Sequence, residues 1–202
     1  PNGVDLARFR PDAEVPPEAG RLRPYVLFVG RLEQRKGLEV LLRAMPAVCS
    51  RHPAVRLVVV GSGPLERQCH RLCAELGIAD RVRFVGRVEG DRLPGWYAGA
   101  ELYVSPALGG EAMGIVLIEA MAAGRPVIAS RIPGYDEVIA DRRDGILVEP
   151  GAGPALADAI SGLLTDPARC RELTAAGLRT IERYAWPRVA GQVEQVYREV
   201  LD

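Results

Sequence analysis

Short apolar runs, rich in β-branched residues, recur along the chain and are separated by longer segments with helical periodicity. Buried strands of a parallel sheet have this near-continuous apolar character, because helices cover both faces of the sheet. The runs predict six strands, at residues 25–29, 56–60, 82–85, 102–104, 126–129 and 145–148. The segments with helical periodicity predict helices at residues 37–51, 65–76, around 96–97, at 114–123 and from 154 onward, with breaks at 166–167 and 186–187.

This alternation predicts a doubly wound parallel α/β domain with a helical C-terminal tail. Ligands of such domains bind beyond the carboxyl ends of the strands. The first three predicted strands are followed or closed by Gly30, Gly61 and Gly86, where the backbone must turn or approach a ligand. Residues 13–23, which contain two prolines and a glycine, predict a surface loop.

The composition narrows the class of protein. The 202 residues include 26 basic and 26 acidic side chains, and only 5% are aromatic, which argues against a nucleic-acid binder. No signal peptide and no run of 18 apolar residues is present in the sequence. The cysteines, Cys49, Cys69, Cys73 and Cys170, lack the partners of a metal site. They predict buried, reduced thiols, which favour a cytosolic setting.

The most informative segment is residues 109–124, which is apolar and glycine-rich and has only Glu111 and Glu119 as charged residues. It predicts a helix that Gly124 ends, with Glu111 at its mouth and Glu119 about 7–8 Å further along the axis. The free N–H groups of the first turn and the helix dipole favour phosphate. Acceptors at two depths suit a ligand with phosphates between two sets of hydroxyls, as in a nucleotide sugar. The alternative is a capping carboxylate and a solvated glutamate, but Glu119 lies in an apolar run and needs a polar partner.

Two further glycine-containing turns follow predicted strands. Residues 30–37 contain three cations, of which Arg31 and Lys36 are placed to neutralise a diphosphate, although a solvated basic turn has the same pattern. Residues 61–64 begin like a dinucleotide-binding loop but lack its third glycine and the later acidic residue. A tight turn into a helix therefore explains them better than a Rossmann oxidoreductase does.

In this order, the motifs resemble the C-terminal, donor-binding domain of retaining glycosyltransferases of the GT-B fold, in family four. The matching segments include residues 1–5, 29–32, 36–37, 61–64 and 85–86, the E-x7-E pair Glu111 and Glu119, and residues 120–127, 145–148 and 184–197. The resemblance covers essentially the whole chain. The context of Glu111 looks closest to that of phosphatidylinositol mannosyltransferases.

The resemblance implies a role for each matching position. Arg31 and Lys36 would bind the donor diphosphate, Glu111 would face the transferred hexose, and Glu119 would bind the ribose hydroxyls. The other implied contacts are Gly30 and Gly61 as donor-binding turns, backbone around Arg87 and Val88 at the base, and the N–H groups of Met113, Gly114 and Ile115 at phosphate or sugar. The implied chemistry is front-face transfer with retention of configuration, with no metal and no tightly bound cofactor.

The sequence departs from the family pattern in ways that leave the donor open. Met113 stands where phenylalanine is usual, and a guanine-recognising residue is ambiguous among Glu89, Gly90 and Asp91. GDP-mannose and a UDP-sugar both stay as candidate donors. A nucleotide-sugar epimerase and a non-catalytic nucleotide-binding module are the alternative functions.

The resemblance also implies a division of the molecule. Residues 1–183 would be the nucleotide-sugar-binding domain, and residues 184–202 a helix that packs toward an N-terminal acceptor domain absent from this chain. The helix presents Val189, Val193, Val196 and Val200 as an apolar face, whose exposure would promote association. We expect the chain alone to bind nucleotide without turnover. The full-length protein would be cytoplasmic, with the inner face of the membrane as one setting and a lipid or glycan as acceptor.

Overall fold

Six parallel strands form one sheet in the computed structural model, which describes residues 2–201 and, among them, side chains up to residue 199. The strands are β1 Tyr25–Val29, β2 Arg56–Val60, β3 Val82–Gly86, β4 Leu102–Ser105, β5 Val127–Ser130 and β6 Ile146–Val148. Their order in the sheet is β3-β2-β1-β4-β5-β6, and every neighbouring pair is parallel. The chain therefore reverses its direction of growth between β1 and β4, which is where doubly wound sheets open a crevice for ligands. The predicted fold class is confirmed.

Helices cover both faces of the sheet. They are α1 Pro17–Gly20, α2 Leu38–Arg51, α3 Glu66–Glu75, α4 Leu93–Gly99, α5 Ile115–Ala122, α6 Gly153–Thr165, α7 Pro167–Ile181 and α8 Trp186–Leu201. The predicted breaks at 166–167 and 186–187 fall at the starts of α7 and α8. At the first break the Asp166 carboxylate accepts a hydrogen bond from the backbone N–H of Arg169 at 2.9 Å and so caps α7.

Two apolar cores lie on opposite faces of the sheet, because alternate side chains of a strand point to opposite sides. In β1, Tyr25 and Leu27 belong to the core that α4 and α5 cover, whereas Val26 and Phe28 belong to the core under α2, α3 and α6. All four of these side chains are buried. Strands buried on both sides explain the continuous apolar runs from which the sheet was predicted.

The segment 13–23 is more ordered than the predicted surface loop. It contains α1, and Ala19 is fully buried within the first core. A Cβ at Gly95 of α4 would lie 2.0 Å from the carbonyl oxygen of Glu14, so the backbones of the two segments are in direct contact. The prolines in this segment indicate a loop. The sequence does not show that α4 packs against the segment, and so the helix was missed.

The prediction of buried, reduced thiols is confirmed for two of the four cysteines, and for the other two the predicted burial is wrong. All four thiols are free; Cys69 and Cys73 are buried on one face of α3, whereas Cys49 and Cys170 are half-buried. Burial raises the pKa of the Cys73 thiol to about 11, which keeps it protonated and unreactive at neutral pH. None of the helices in residues 2–201 combines the length and the apolar character needed to span a bilayer.

Candidate functional site

The loops at the carboxyl edge of the sheet are joined by direct contacts between their backbones. A Cβ at Gly61 would lie 1.9 Å from the carbonyl oxygen of Gly30, and a Cβ at Gly37 would lie 1.9 Å from that of Pro106. Gly61 and Gly37 also have φ values of 132° and 67°, which favour glycine. The turns after β1, β2 and β4 thus form one continuous surface, and glycine is required where they touch.

Glu111 is held at this edge by two cations. Its Oε1 atom lies 2.6 Å from the Arg35 guanidinium and 2.7 Å from Lys36 Nζ, and only 8% of its side chain is exposed. Arg35 also donates a hydrogen bond to the carbonyl oxygen of Gly110 at 3.0 Å. The structure therefore brings Glu111 and Lys36 together, and it adds Arg35.

Arg31 does not pair with Glu111 and is connected to this ion-pair cluster only through Glu33, which also pairs with Arg35. Its side chain is 69% exposed, and its Nε lies 3.4 Å from the Glu33 carboxylate. It lines a neighbouring cavity instead, as described below.

Gly114 begins α5 in a left-handed conformation, with φ 71°. A Cβ there would lie 2.5 Å from the Tyr135 ring, so only glycine fits under the aromatic side chain. No side chain caps the N-terminus of α5, which leaves its first-turn N–H groups available to an anion. Met113 precedes this glycine and is half-buried, whereas Ile115 follows it and is 41% exposed.

The end of α5 is as predicted. The N–H of Gly124 donates to Met121 and the N–H of Arg125 donates to Ala120, at 3.0 and 2.9 Å, which is the Schellman pattern. Gly124 has φ 69°, as that pattern requires.

Glu119 lies in the second turn of α5 and is half-buried. Its Oε2 atom accepts a hydrogen bond from the Tyr97 hydroxyl at 2.9 Å, so the carboxylate has the polar partner that its apolar context required. Burial raises the pKa of Glu119 to about 7, against the opposing effects of the Tyr97 hydrogen bond and of the charge on Arg8.

The loop after β5 forms the adjoining wall. A Cβ at Gly134 would lie 2.6 Å from the carbonyl oxygen of Glu111, and the Tyr135 hydroxyl lies 2.8 Å from Ser105 Oγ. These contacts place the loop after β5 beside the Glu111 segment. Asp136 and Glu137, at the end of this loop, are exposed.

A cavity of about 460 Å³ opens at the carboxyl ends of β1, β2 and β3. This volume lies within the usual range for small-molecule sites. Its lining includes five of the predicted binding residues, Gly30, Arg31, Gly61, Arg87 and Val88. A second cavity, of about 400 Å³, lies between α2 and α3 and contains none of the predicted site residues. We therefore place the candidate site at the first cavity and at the start of α5, which lies at the same carboxyl edge of the sheet.

Residues 2–201 contain no group of three or more His, Cys, Asp or Glu side chains arranged to hold a metal ion.

The sequence profile of the family described as "Glycosyl transferases group 1" matches residues 23–166, which include every predicted site residue. The chain belongs to this glycosyltransferase family. Together with the sheet order, this confirms a Rossmann-like domain of the GT-B fold.

Named relatives and solved structures agree with that membership. The chain is 39% identical to a phosphatidyl-myo-inositol mannosyltransferase of Mycobacterium leprae over 99% of its own length and 53% of the relative's. A sucrose-phosphate synthase from Thermosynechococcus elongatus has 35% identity and a TM-score of 0.84, covering 100% of this chain and 52% of that one. Anabaena HepE in complex with UDP and glucose shares the fold, with 22% identity and a TM-score of 0.86, over 98% of this chain and 55% of that one. The chain thus spans about half the length of each of these three proteins.

Two residues of the site were not among the predicted ones. Arg35 stood in the basic turn but was not distinguished from its neighbours, because a sequence does not show which cation meets Glu111. Tyr97 was predicted only as part of a short helix, and its contact with Glu119 joins residues 22 positions apart. The sequence indicated only that Glu119 needs a polar partner, and it did not indicate that Tyr97 is that partner.

Proposed function

We propose that this chain is the donor-binding domain of a retaining glycosyltransferase that transfers a hexose from a nucleoside-diphosphate sugar to an acceptor hydroxyl. The observation that carries the proposal is the meeting of Lys36 and Arg35 with Glu111 next to the uncapped start of α5. This arrangement offers positive charge and N–H donors to a diphosphate, and a carboxylate to the sugar beside it.

The diphosphate would bind between the start of α5 and the turn after β1. Arg31 and Lys36 supply positive charge, and the N–H groups of Met113, Gly114 and Ile115 supply donors. Negative charge develops on the diphosphate as it leaves, so groups fixed in advance around it stabilise the transition state. The proposed mechanism requires no metal, since these cations and the helix dipole meet that charge.

Glu111 would bind the hexose rather than attack it. Its Oε1 is engaged by Arg35 and Lys36, which leaves Oε2 to accept a hydrogen bond from a sugar hydroxyl. In the transfer step, the bond between the anomeric carbon and the phosphate oxygen breaks while the acceptor oxygen bonds the same face of that carbon. The departing phosphate takes the acceptor's proton. Because the new bond forms on the face that the phosphate leaves, the configuration is retained.

The nucleoside would extend from the diphosphate into the cavity at the ends of β1 to β3. Glu119 binds the ribose hydroxyls, and backbone at Arg87 and Val88 meets the base. GDP-mannose and a UDP-sugar are the candidate donors: the M. leprae relative is named as a mannosyltransferase, and the HepE structure contains UDP and glucose.

The acceptor would bind in a further domain. The chain spans about half of its relatives, and GT-B enzymes react in a cleft between two domains. We therefore propose that residues 1–183 bind the donor, that residues 184–202 pack toward the other domain, and that this chain alone binds nucleotide without turnover. Pro1 and Asp202, at the ends of these ranges, lie outside the described residues. A cytoplasmic location, at the inner membrane face if the acceptor is a lipid, completes the proposal.

Calorimetric titration with GDP, UDP, ADP and GDP-mannose tests the site directly. We expect one diphosphate to bind best, and Lys36→Ala and Glu119→Ala each to weaken it by about 5–150-fold, the effect of losing a hydrogen bond to a charged group. Arg51→Ala is the matched control for charge, because Arg51 lies at the far end of α2 and pairs with Asp158.

These titrations, an assay of proton exchange and an assay of sugar transfer together separate the alternative functions. A sugar nucleotide that binds no better than its diphosphate, with no effect of Glu111→Ala, would support a non-catalytic nucleotide-binding module. Exchange of the sugar's C2 proton with solvent would support an epimerase. Sustained transfer of sugar by this chain alone would contradict the proposed need for a second domain.

A further inference from the structure

The Tyr97 hydroxyl is a buried donor whose acceptor is the carboxylate assigned above to the ribose. Tyr97 is fully buried in α4, and its ring packs against Phe9 and Tyr103 with centroid distances of 5.8 and 5.4 Å. Close packing of this kind restricts the movement of the ring and so holds the hydroxyl oxygen in place. It donates to Oε2 of Glu119 at 2.9 Å.

The two oxygens of Glu119 have different surroundings. Oε2 is taken by Tyr97, whereas Oε1 accepts no hydrogen bond from residues 2–201 and is not among their buried unpartnered atoms. One oxygen is therefore anchored to the core, and the other is open to solvent.

We propose that Tyr97 is a positioning residue for nucleotide binding: its hydroxyl anchors Oε2 of Glu119, so that Oε1 is presented to the ribose as an ionised acceptor. The proposal rests on the assignment of Glu119 to the ribose. It adds a residue in α4, a helix that contributes no other predicted donor contact.

The surroundings of Glu119 make its ionisation depend on this hydrogen bond. Burial raises its pKa, and two groups oppose that rise: Tyr97 from α4, by donating a hydrogen bond, and Arg8 from the N-terminal segment, by its charge. Tyr103 from β4 is a neutral neighbour, because burial raises its own pKa far above neutrality. Arg8 is 44% exposed and screened by solvent, so Tyr97 is the nearer and stronger support for the carboxylate.

This arrangement predicts a pH dependence of nucleotide binding. With the pKa of Glu119 at about 7, the carboxylate becomes a charged acceptor as pH rises through neutrality, and affinity rises with it. Removal of the Tyr97 hydroxyl leaves the effect of burial less opposed, which raises the pKa. The midpoint of the affinity profile should therefore move upward, by about one pH unit.

The experiment measures GDP and UDP affinity by calorimetry between about pH 5.5 and 9, a range that brackets the titration. The proteins are the wild-type chain, Tyr97→Phe, Glu119→Gln and Tyr25→Phe. Tyr25→Phe is the matched control: it removes a buried hydroxyl that donates to the carbonyl oxygen of Trp96, on the same helix, and leaves Glu119 untouched. Glu119→Gln lacks the titrating carboxyl group, so the pH dependence that remains in this variant comes from the nucleotide's own phosphate. Its affinity profile therefore serves as the baseline.

We expect Tyr97→Phe to bind about fivefold more weakly than wild type near pH 7 and within about twofold near pH 9, the pattern of a one-unit shift. Tyr25→Phe should follow the wild-type profile. A loss in Tyr97→Phe that is equal at every pH would indicate a purely structural role and overturn the inference. An affinity unchanged by Glu119→Gln would instead overturn the assignment of Glu119 to the ribose, which is a failure of the proposed function.

Discussion

At the scale of single residues, Arg35 differs from Arg31 although the two stand four positions apart in one basic turn. Arg35 contacts both the Glu111 carboxylate and the backbone oxygen of Gly110, whereas Glu33 is the one ion-pair partner of Arg31 in the described part of the chain. Arg35 also lies 2.6 Å from Glu33, so it links the turn after β1 to the segment before α5. We infer that Arg35 acts on the sugar through Glu111, while Arg31 acts on the phosphates.

This difference can be measured by comparing a sugar nucleotide with its diphosphate. Arg35→Met should reduce the extra affinity that the sugar provides by about 5–20-fold, because Glu111 loses the donor that orients it. Arg31→Met should weaken the diphosphate and the sugar nucleotide alike. Calorimetry with GDP and GDP-mannose, or with UDP and UDP-glucose, checks both variants. If both variants lost the same part of the affinity that the sugar adds, the proposed difference in role between Arg35 and Arg31 would be contradicted.

At the scale of secondary-structure elements, the turns between strands and helices are fixed by where they touch one another. Gly37 and Gly77 both have φ 67° and both lie at a helix end, but their surroundings differ. A Cβ at Gly37 would meet the Pro106 carbonyl at 1.9 Å, whereas a Cβ at Gly77 would have nothing within 4 Å.

Alanine at these two positions should therefore have unequal effects on stability. Gly77→Ala should lower the free energy of unfolding by about 1 kcal/mol, the cost of a left-handed conformation. Gly37→Ala should lower it by about 3 kcal/mol or more, because the backbone of the neighbouring loop must also move. Urea denaturation of both variants provides the comparison. If the two variants lost similar amounts of stability, the loop that contains Pro106 would have to move away from position 37 at little energetic cost.

Elements formed by interactions between residues close in sequence could be predicted, whereas those that depend on contacts between distant residues could not. The strands and the end of α5 were predictable because burial on both faces and a left-handed glycine leave local signals. The short helix α1 was missed, since its burial depends on contact between residues 14–16 and Gly95 of α4. In the site, motif order predicted Glu111 and Lys36, but the partners Arg35 and Tyr97 depend on tertiary packing that no local pattern records.

At the scale of the whole molecule, the N-terminal segment and the start of α8 meet. Val4 and Ala185 form a parallel bridge, and a Cβ at Gly3 would lie 2.6 Å from the Trp186 indole. Beyond this anchor, Val189, which is 2% exposed, is the one buried apolar residue among the α8 side chains described, up to residue 199. The later apolar residues of the described part of α8 are exposed, namely Val193, Val196 and Tyr197, and the side chain of Val200 lies outside the described ones.

An exposed apolar face on a chain with no net charge should promote association. We expect concentration-dependent self-association that the triple substitution Val193→Ser, Val196→Ser and Tyr197→Ser suppresses, with nucleotide affinity unchanged. Sedimentation velocity over a range of concentrations measures it. Val189→Ala serves as a contrast, because it should lower stability and leave this exposed face in place. Association that persists in the triple variant would locate the contact elsewhere.

The backbone contacts between the loops of the donor site have an evolutionary consequence. A side chain at Gly37 or Gly61 would collide with the main chain of another loop, so almost any substitution at these two positions would disturb the architecture before it altered the choice of donor. Arg87, by contrast, is an exposed residue that lines the cavity proposed for the nucleoside, and it has little packing to lose. We therefore expect changes of donor preference to arise more readily at the edge of this cavity than at the glycine turns proposed to bind the diphosphate.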